Sequence, residues 1–206
     1  MAVYTEVSDE DLRQFMAEYD LGEALSCKGI AEGIENSNYA LTTTTGTYIL
    51  TLYEKRVNPD DLPFFLGLLD HLSAANCPVP RTIHDCDGAA YRMVDGKAVA
   101  LIEFLPGLSP STPTEAQARS VGAALGQMHQ AAQDYPGTRN STLEPQDTLE
   151  ILDQCGTDAL AGIDPALPDI LPIGARIVAG WPEHLPGSII HSDLFPDNVL
   201  MLGDKV

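Results

Sequence analysis

The chain has 206 residues, 44% of them hydrophobic, and its 30 acidic residues outnumber its 11 basic residues to give a formal net charge of −19. This length suffices for one sizeable core or two small lobes. We find no run near the roughly 20 apolar residues of a membrane helix, and no secretory signal at the start. The acidic field repels nucleic acid and acidic membranes. We therefore expect a cytoplasmic protein that binds neither, and the sequence leaves its oligomeric state open.

The first elements follow from a helix cap and two apolar patterns. Ser8, followed by three acidic residues, predicts a helix that ends at Gly22. Residues 28–41 and 47–53 favour strands, because the second is rich in β-branched and aromatic side chains. Residues 42–46 are the expected turn between these two strands.

A second helix and a hairpin complete the first half of the chain. Two aspartates and a proline open a predicted helix over residues 60–75. Strands are predicted around 90–94 and 98–104, since Asp95-Gly96 is a strong hairpin signal. Residues 106–113, with their prolines and a glycine, indicate a linker.

Helices dominate the predicted second half. Thr114 caps a helix that we expect to be well buried through its apolar positions, which are Ala118, Val121, Leu125, Met128 and His129. Residues 134–186 are rich in proline, glycine and aspartate, with helices predicted near 147–154 and 169–181.

The pattern His191-x-Asp193-x4-Asn198 lies between two short apolar runs and carries the clearest chemistry. Phosphoryl transfer to a hydroxyl needs a carboxylate that orients the alcohol and accepts its proton, and an oxygen ligand for the metal ion. Asp193 and Asn198 could supply these two functions, while His191 would stiffen the loop. Taken alone, the pattern is also compatible with a polar turn.

A glycine-bearing segment over residues 29–38 lies between predicted strands. Glycine lets the backbone approach a phosphate closely, and asparagine and serine add hydrogen-bond donors. The candidate nucleotide-binding residues here are Gly29, Gly33, Asn36, Ser37 and Asn38. An ordinary hairpin loop is the alternative, and a P-loop is excluded because no Gly-Lys-Ser/Thr follows.

The apolar segment 101–107 runs from the last predicted strand into the linker. Its backbone could meet the edge of an adenine ring near Glu103 and Leu105, although any edge strand would look similar. The order of a glycine-bearing hairpin, helix, hinge, helix and H-x-D-x4-N loop resembles the aminoglycoside-phosphotransferase and choline-kinase branch of the protein-kinase-like fold. The loop His-Ser-Asp-Leu-Phe-Pro-Asp-Asn-Val-Leu is similar to the catalytic loop of that branch.

Within the branch, the chain resembles the bacterial homoserine kinases of the phosphotransferase type. The resemblance rests on Lys-Gly-Ile-Ala-Glu-Gly-Ile-Glu-Asn-Ser-Asn at 28–38, Leu-Thr-Leu-Tyr-Glu-Lys-Arg at 50–56 and Asp-Leu-Pro-Phe-Phe-Leu-Gly-Leu at 61–68. It implies ATP- and Mg²⁺-dependent phosphorylation of the L-homoserine hydroxyl, a step toward threonine. It also implies Asp193 and His191 as catalytic residues and Asn198 as a metal ligand.

Two departures from the wider fold concern the phosphates and the metal. The usual lysine and its glutamate partner fall near Thr51 and Phe65, and Lys55 is the candidate to reach phosphate instead. Related enzymes carry a second metal-binding aspartate after the catalytic loop, whereas Asp204 is expected to be a turn residue. We therefore expect the 206 residues to form a fragment that is inactive alone.

The expected fold is α+β and two-lobed. An antiparallel-sheet lobe over 1–105 would bind the nucleotide, and an incomplete, mainly helical lobe over 106–206 would carry the catalytic loop. Two alternatives remain open. One is a kinase of the same fold that acts on an aminoglycoside, choline or methylthioribose, and the other is a non-catalytic nucleotide-binding fragment.

Overall fold

The structure, a computed structural model, describes residues 3–31, 36–54, 57–141, 144–182, 184 and 187–206. The chain divides into two compact units, the first formed by 1–137 with 188–206 and the second by 138–187. The lobe boundary after residue 105 stays a prediction. In the described ranges, no helix combines the length and the apolar character needed to span a membrane.

One antiparallel sheet forms the centre of the first unit. Its six strands within the described residues are β1 (Ala24–Gly29), β2 (Ser37–Thr43), β3 (Thr47–Leu52), β4 (Thr82–Ile83), β5 (Arg92–Val94) and β6 (Lys97–Glu103). The strand order is β1-β2-β3-β6-β4, and β5 also pairs with β6. The predicted hairpin is confirmed, since Asp95 and Gly96 both adopt the positive φ angles of a tight two-residue turn.

Helices accompany the sheet in the first unit and form the second. The first unit contains α1 (Asp9–Met16), α2 (Leu62–Ala74) and α3 (Glu115–Ala131), and the second contains α4 (Pro145–Cys155), α5 (Thr157–Ile163) and α6 (Ile170–Ala179). The helices predicted near 60–75, 147–154 and 169–181 are confirmed, as is the helix capped by Thr114. Sequence analysis did not predict α5. The mixture of an antiparallel sheet with helices confirms the α+β class.

Helices α1 and α2 cover opposite faces of the sheet. The cluster beneath α1 contains Leu50 and Leu52 of β3 and Val99 and Leu101 of β6. The cluster beneath α2 contains Ala98 and Ala100 of β6, together with Leu62 and Leu66 of the helix. This division follows from the period of two in a strand, which sends alternate side chains to opposite faces.

Two predicted boundaries are wrong. Helix α1 ends at Met16 and not at Gly22, because the N–H groups of Glu18 and Tyr19 bond to carbonyls three residues earlier and tighten the end of the helix. Residues 28–41 do not form one strand. The chain reverses between β1 and β2, whose residues Gly29 and Tyr39 pair across the antiparallel ladder.

The expected burial of α3 is also wrong for most of its apolar positions. Among its side chains, Ala124 is buried, while Val121, Leu125, Met128 and His129 are partly exposed and Ala118 is exposed. Met128 packs against the cluster that α2 forms with the chain after it. The apolar spacing therefore predicted a helix correctly but did not reveal how much of its surface is covered.

The hinge after β6 lies directly against the chain that follows residue 198. Leu108 and Met201 exchange two backbone hydrogen bonds of 3.0 and 3.1 Å, and Met201 is buried. Gly107 has a φ of 152°, and a Cβ placed there would lie 2.9 Å from Cβ of Leu200 and 3.2 Å from the backbone N of Met201. Glycine is therefore required at 107 for this close approach.

Replacing Gly107 with alanine should lower the free energy of unfolding by about 1–3 kcal/mol, because the added methyl group meets backbone that cannot move freely. Gly126→Ala is the matched control. No atom lies within 4 Å of a Cβ at that helical position, so this change should raise stability by up to about 1 kcal/mol. Urea unfolding of both variants measures the difference. Equal midpoints would show that the hinge tolerates a side chain.

Candidate active site

The His191–Asn198 segment folds as one compact loop. Pro196–Asn198 form a single 3-10 turn, and the backbone N–H of Asn198 donates to the carbonyl of Phe195 at 3.0 Å. The Asn198 side-chain amide nitrogen donates to Asp193 twice, to its backbone carbonyl at 2.8 Å and to its carboxylate Oδ2 at 3.1 Å. The spacing of five residues thus brings the two predicted functional side chains into direct contact.

Ser192 holds a backbone conformation that non-glycine residues rarely adopt. Its φ is 64°, in the left-handed region, which costs roughly 1–2 kcal/mol for a residue with a Cβ. Backbone strain of this kind concentrates at functional sites. Next to it, the ring Nδ1 of His191 accepts a long hydrogen bond of 3.4 Å from the Asp193 N–H. This contact agrees with the predicted stiffening of the loop by His191, whose catalytic role stays a prediction.

The Asp193–Asn198 contact leaves oxygen atoms available. The Asn198 side chain contacts Asp193 through its nitrogen, so the Oδ1 atom of Asn198 can still coordinate a metal ion. Oδ1 of Asp193 is likewise not used in this contact, and both side chains are exposed. Carboxylate and amide oxygens are the ligands that Mg²⁺ prefers. Within the described ranges, including this loop, no group of three or more His, Cys, Asp or Glu side chains is arranged to hold a metal ion.

Contacts with the hinge hold the loop in place. The Ser109 hydroxyl donates to the carbonyl of Asp197 at 3.4 Å, and Val199, one residue after the loop, is buried. Beyond it, Leu202 and Lys205 bridge around Gly203 and Asp204. Asp204 is therefore a turn residue, as the sequence predicted.

The glycine-bearing segment is described at its two ends. Gly29 ends β1 and is exposed, and the Ile30 N–H donates to the Asn38 carbonyl at 2.8 Å. Asn36 accepts from the Glu54 N–H through its side-chain carbonyl at 3.3 Å. Two further candidates, Gly33 and Lys55, lie outside the described residues.

Ser37 and Asn38 already have partners within the sheet region. Ser37 is fully buried, and its hydroxyl is bonded by Tyr4, Thr5 and Glu54. The Asn38 side-chain carbonyl accepts from the Thr51 hydroxyl at 2.9 Å. These contacts support the shape of the segment, and direct contact of either side chain with phosphate stays a prediction.

At the hinge, backbone groups of Glu103 and Leu105, and not their side chains, are the candidates to contact adenine. The carboxylate of Glu103 accepts two hydrogen bonds from the Arg81 guanidinium, at 3.1 and 3.2 Å, and this pairing lowers the pKa of Glu103. The backbone N–H of Glu103 donates to the Arg81 carbonyl. Leu105, two residues later, is half-buried. Adenine recognition at Glu103 and Leu105 therefore stays a prediction that concerns the carbonyls and the Leu105 N–H.

The positions that would hold a lysine–glutamate pair are filled differently. Thr51 is buried and bonded to Asn38, and Phe65 is 40% exposed. A lysine–glutamate pair does exist elsewhere, between Lys97 and Glu54. Lys97 shares the β6 face of Val99 and Leu101, which is the α1 face. Sequence analysis missed this pair, because 43 residues separate its members.

Comparison with known sequences gives a family. Residues 26–206 match the phosphotransferase enzyme family, APH. Curated homoserine kinases from Granulibacter bethesdensis and Nitrobacter winogradskyi are 48% and 46% identical to the whole of this chain. One from Hyphomonas neptunium is 49% identical over 99% of it. The chain spans 63–65% of the length of these relatives.

Comparison with solved structures gives the fold. Spectinomycin phosphotransferase APH(9)-Ia, in complex with ADP and spectinomycin, aligns with a TM-score of 0.69 at 15% identity, over 97% of this chain and 67% of its own. A microcompartment-associated aminopropanol kinase aligns with a TM-score of 0.62 at 18% identity, over 94% and 64%. The predicted resemblance and the protein-kinase-like fold are thereby confirmed.

Proposed function

This chain belongs to the phosphotransferase enzyme family, and on that premise we propose that it transfers a phosphoryl group from ATP to the side-chain hydroxyl of L-homoserine. The observation that carries the proposal is the Asp193–Asn198 contact, in which the Asn198 amide nitrogen donates to Asp193 and which thereby brings a carboxylate and an amide group together on one loop. The identity to homoserine kinases over the whole chain supports the acceptor. Threonine biosynthesis and a cytoplasmic location belong to the same proposal.

Asp193 orients and deprotonates the acceptor. One carboxylate oxygen is held by the Asn198 amide, so the group keeps a fixed direction while the other oxygen faces solvent. The acceptor hydroxyl donates a hydrogen bond to that second carboxylate oxygen. As the hydroxyl oxygen bonds to the γ-phosphorus, its proton passes to Asp193, the bond from that phosphorus to the β,γ-bridging oxygen breaks, and ADP leaves.

Asn198 is the residue that would hold magnesium, through Oδ1. When bound with the nucleotide, the ion supplies positive charge against the β- and γ-phosphates. The amide nitrogen keeps Oδ1 pointed away from Asp193, because nitrogen and oxygen of one planar amide lie on opposite sides. Orientation of the ligand and orientation of the base therefore depend on the same contact.

The nucleotide would lie along the α2 face of the sheet, between the glycine-bearing segment and the hinge. Asn38 and Thr51 share a face opposite to the α1 cluster and mark this side. Lys97 is on the other face and is paired with Glu54, so it is not the phosphate ligand. Backbone N–H groups of the glycine-bearing segment, together with Lys55, are the proposed phosphate contacts.

An acceptor panel tests the proposal on the complete gene product. We expect Mg²⁺- and ATP-dependent ADP release with L-homoserine, at a kcat/KM at least ~100-fold above that with choline, methylthioribose or an aminoglycoside. A site built for a zwitterion should reject these acceptors, because none of them has a carboxylate and the carboxylate-binding groups of the site would be left unpaired. If another acceptor gave a higher kcat/KM, that acceptor would replace L-homoserine as the proposed substrate. Nucleotide binding without turnover of any acceptor would favour a non-catalytic module.

Asp193→Asn should lower kcat with L-homoserine by about 10²–10⁴-fold, because the amide cannot accept the proton. ATP affinity, measured by calorimetry, should hardly change. Asp197→Asn removes the same charge from the same loop and should retain turnover. If Asp193→Asn kept near wild-type kcat, Asp193 would have no part in proton transfer.

Asn198→Ala should raise the magnesium concentration needed for half-maximal activity, since it removes an oxygen ligand. High magnesium should restore only part of the rate, because the variant also frees the Asp193 carboxylate. Magnesium titrations of kcat in variant and parent separate these two effects. Superimposable titration curves would rule out Asn198 as a ligand.

A further inference from the structure

Residues 3–7, which we name the N-terminal strap, lie against both ends of the glycine-bearing segment. At the β1 end, a Cβ on Gly29 would lie only 2.8 Å from a Val3 methyl carbon, so the strap packs closely on this residue and a side chain there would displace Val3. At the β2 end, the N–H groups of Tyr4 and Thr5 donate to the Ser37 hydroxyl at 2.9 and 3.2 Å. The strap therefore lies against the last residue of β1 and the first residue of β2.

Ser37 is the buried centre of these contacts. Its hydroxyl accepts from the two strap N–H groups and donates to Glu54 Oε1 at 2.7 Å. One donor and two acceptor positions are all that a hydroxyl offers, so its hydrogen-bonding capacity is filled. The neighbouring Tyr39 donates through its own hydroxyl to the Thr5 carbonyl at 2.5 Å.

Glu54 connects the strap to two further strands. Its Oε1 also accepts from the Thr5 hydroxyl at 2.7 Å, its Oε2 pairs with the Lys97 ammonium, and Lys97 contacts the Thr5 hydroxyl as well. The backbone N–H of Glu54 donates to the Asn36 side chain. Although burial alone would raise the pKa of Glu54, hydrogen bonds from Lys97, Ser37 and Thr5 lower it below its ordinary value. The carboxylate therefore stays charged in the folded protein.

A partly buried ion pair of this kind is weak evidence for stability, because removing two charges from water offsets their attraction. Its specific effect is geometric. Glu54 follows the end of β3 and Lys97 begins β6, while Asn36 and Ser37 stand where the glycine-bearing segment enters β2. Together these residues fix the base of the segment from three sides.

We propose that Glu54 is a positioning residue for nucleotide binding, which with Lys97 and the N-terminal strap holds the two ends of the glycine-bearing segment at a fixed separation. This inference rests on the proposed function only in taking that segment as the contact for nucleotide phosphates. A segment held at both ends loses less conformational freedom when its N–H groups bind phosphate, so the nucleotide binds more tightly. Glu54 itself does not touch the nucleotide.

Calorimetric titration of the complete gene product with ATP and magnesium tests the proposal without requiring turnover. Glu54→Ala should raise the Kd for ATP about tenfold, and Glu54→Gln, which keeps the shape and loses the charge, should raise it less. Thr5→Val removes one hydroxyl from the same cluster and should raise the Kd in the same direction. In turnover assays, KM for ATP should rise in parallel while KM for L-homoserine and kcat stay near the parent values.

Asp85→Asn is the matched control. It weakens an ion pair with Arg92 in the same unit, formed at 2.5 Å, whose further partners Glu18, Asp87 and Ala89 lie outside the strap and the glycine-bearing segment. This variant should lose thermal stability and keep its Kd for ATP. If Glu54→Ala does not fold, Thr5→Val carries the same test.

The outcomes separate this inference from the proposed function. Unchanged ATP affinity in folded Glu54→Ala or Thr5→Val, with only a lower melting temperature, would overturn the positioning role whatever the acceptor. Weakened ATP affinity in these variants and not in Asp85→Asn would establish it, even if the acceptor panel excluded homoserine. An equal loss of affinity in Asp85→Asn would also overturn it, because general destabilisation would then explain the effect.

Discussion

Strand β6 is the element on which the first unit depends, because it pairs with three strands and is covered on both faces. It pairs with β3 along one edge and with β4 and β5 along the other. Ala98, Val99, Ala100 and Leu101 are between 0 and 4% exposed. Burial of a leucine to this extent contributes roughly 1.5–3 kcal/mol. The side chains of β6 alternate in size as well as in direction. Alanines lie under α2 and larger residues under α1, so α2 can approach the sheet closely.

The same strand connects the sheet to the His191–Asn198 loop. β6 ends at Glu103, and within five residues the chain passes Gly107 and reaches Leu108, which pairs with Met201. Met201 is three residues after Asn198, the residue that holds Asp193. A side chain at 107 would separate the two segments. The hinge thus places the loop through backbone contacts, and these do not depend on which acceptor the site takes.

Features set by neighbouring residues could be predicted from the sequence, and those set by distant ones could not. Asp95-Gly96 specifies a tight turn by itself, and the H-x-D-x4-N spacing is enough to close one loop through the Asn198 amide. The burial of Glu54 beside Lys97 depends on the pairing of β3 with β6, which no local pattern reveals. The exposure of α3 has the same origin, since an apolar stripe predicts a helix face and not what packs on it. Homology extended the prediction to the acceptor, because the motif alone is common to many hydroxyl kinases.

Charge is the remaining constraint on how this site can bind a polyphosphate. With a net charge of −19, the chain repels a nucleotide at long range. In the described part of the first unit, Arg81, Arg92 and Lys97 are each paired with carboxylates of the chain itself. Their positive charges are therefore largely neutralised by ion pairs within the first unit. In the proposed site, phosphate would then be bound by Lys55 and by backbone N–H groups of the glycine-bearing segment, and such N–H groups act only at contact distance and require an accurately shaped segment. Such a dependence gives a physical reason for the cluster of Glu54, Lys97 and the N-terminal strap at the base of the glycine-bearing segment.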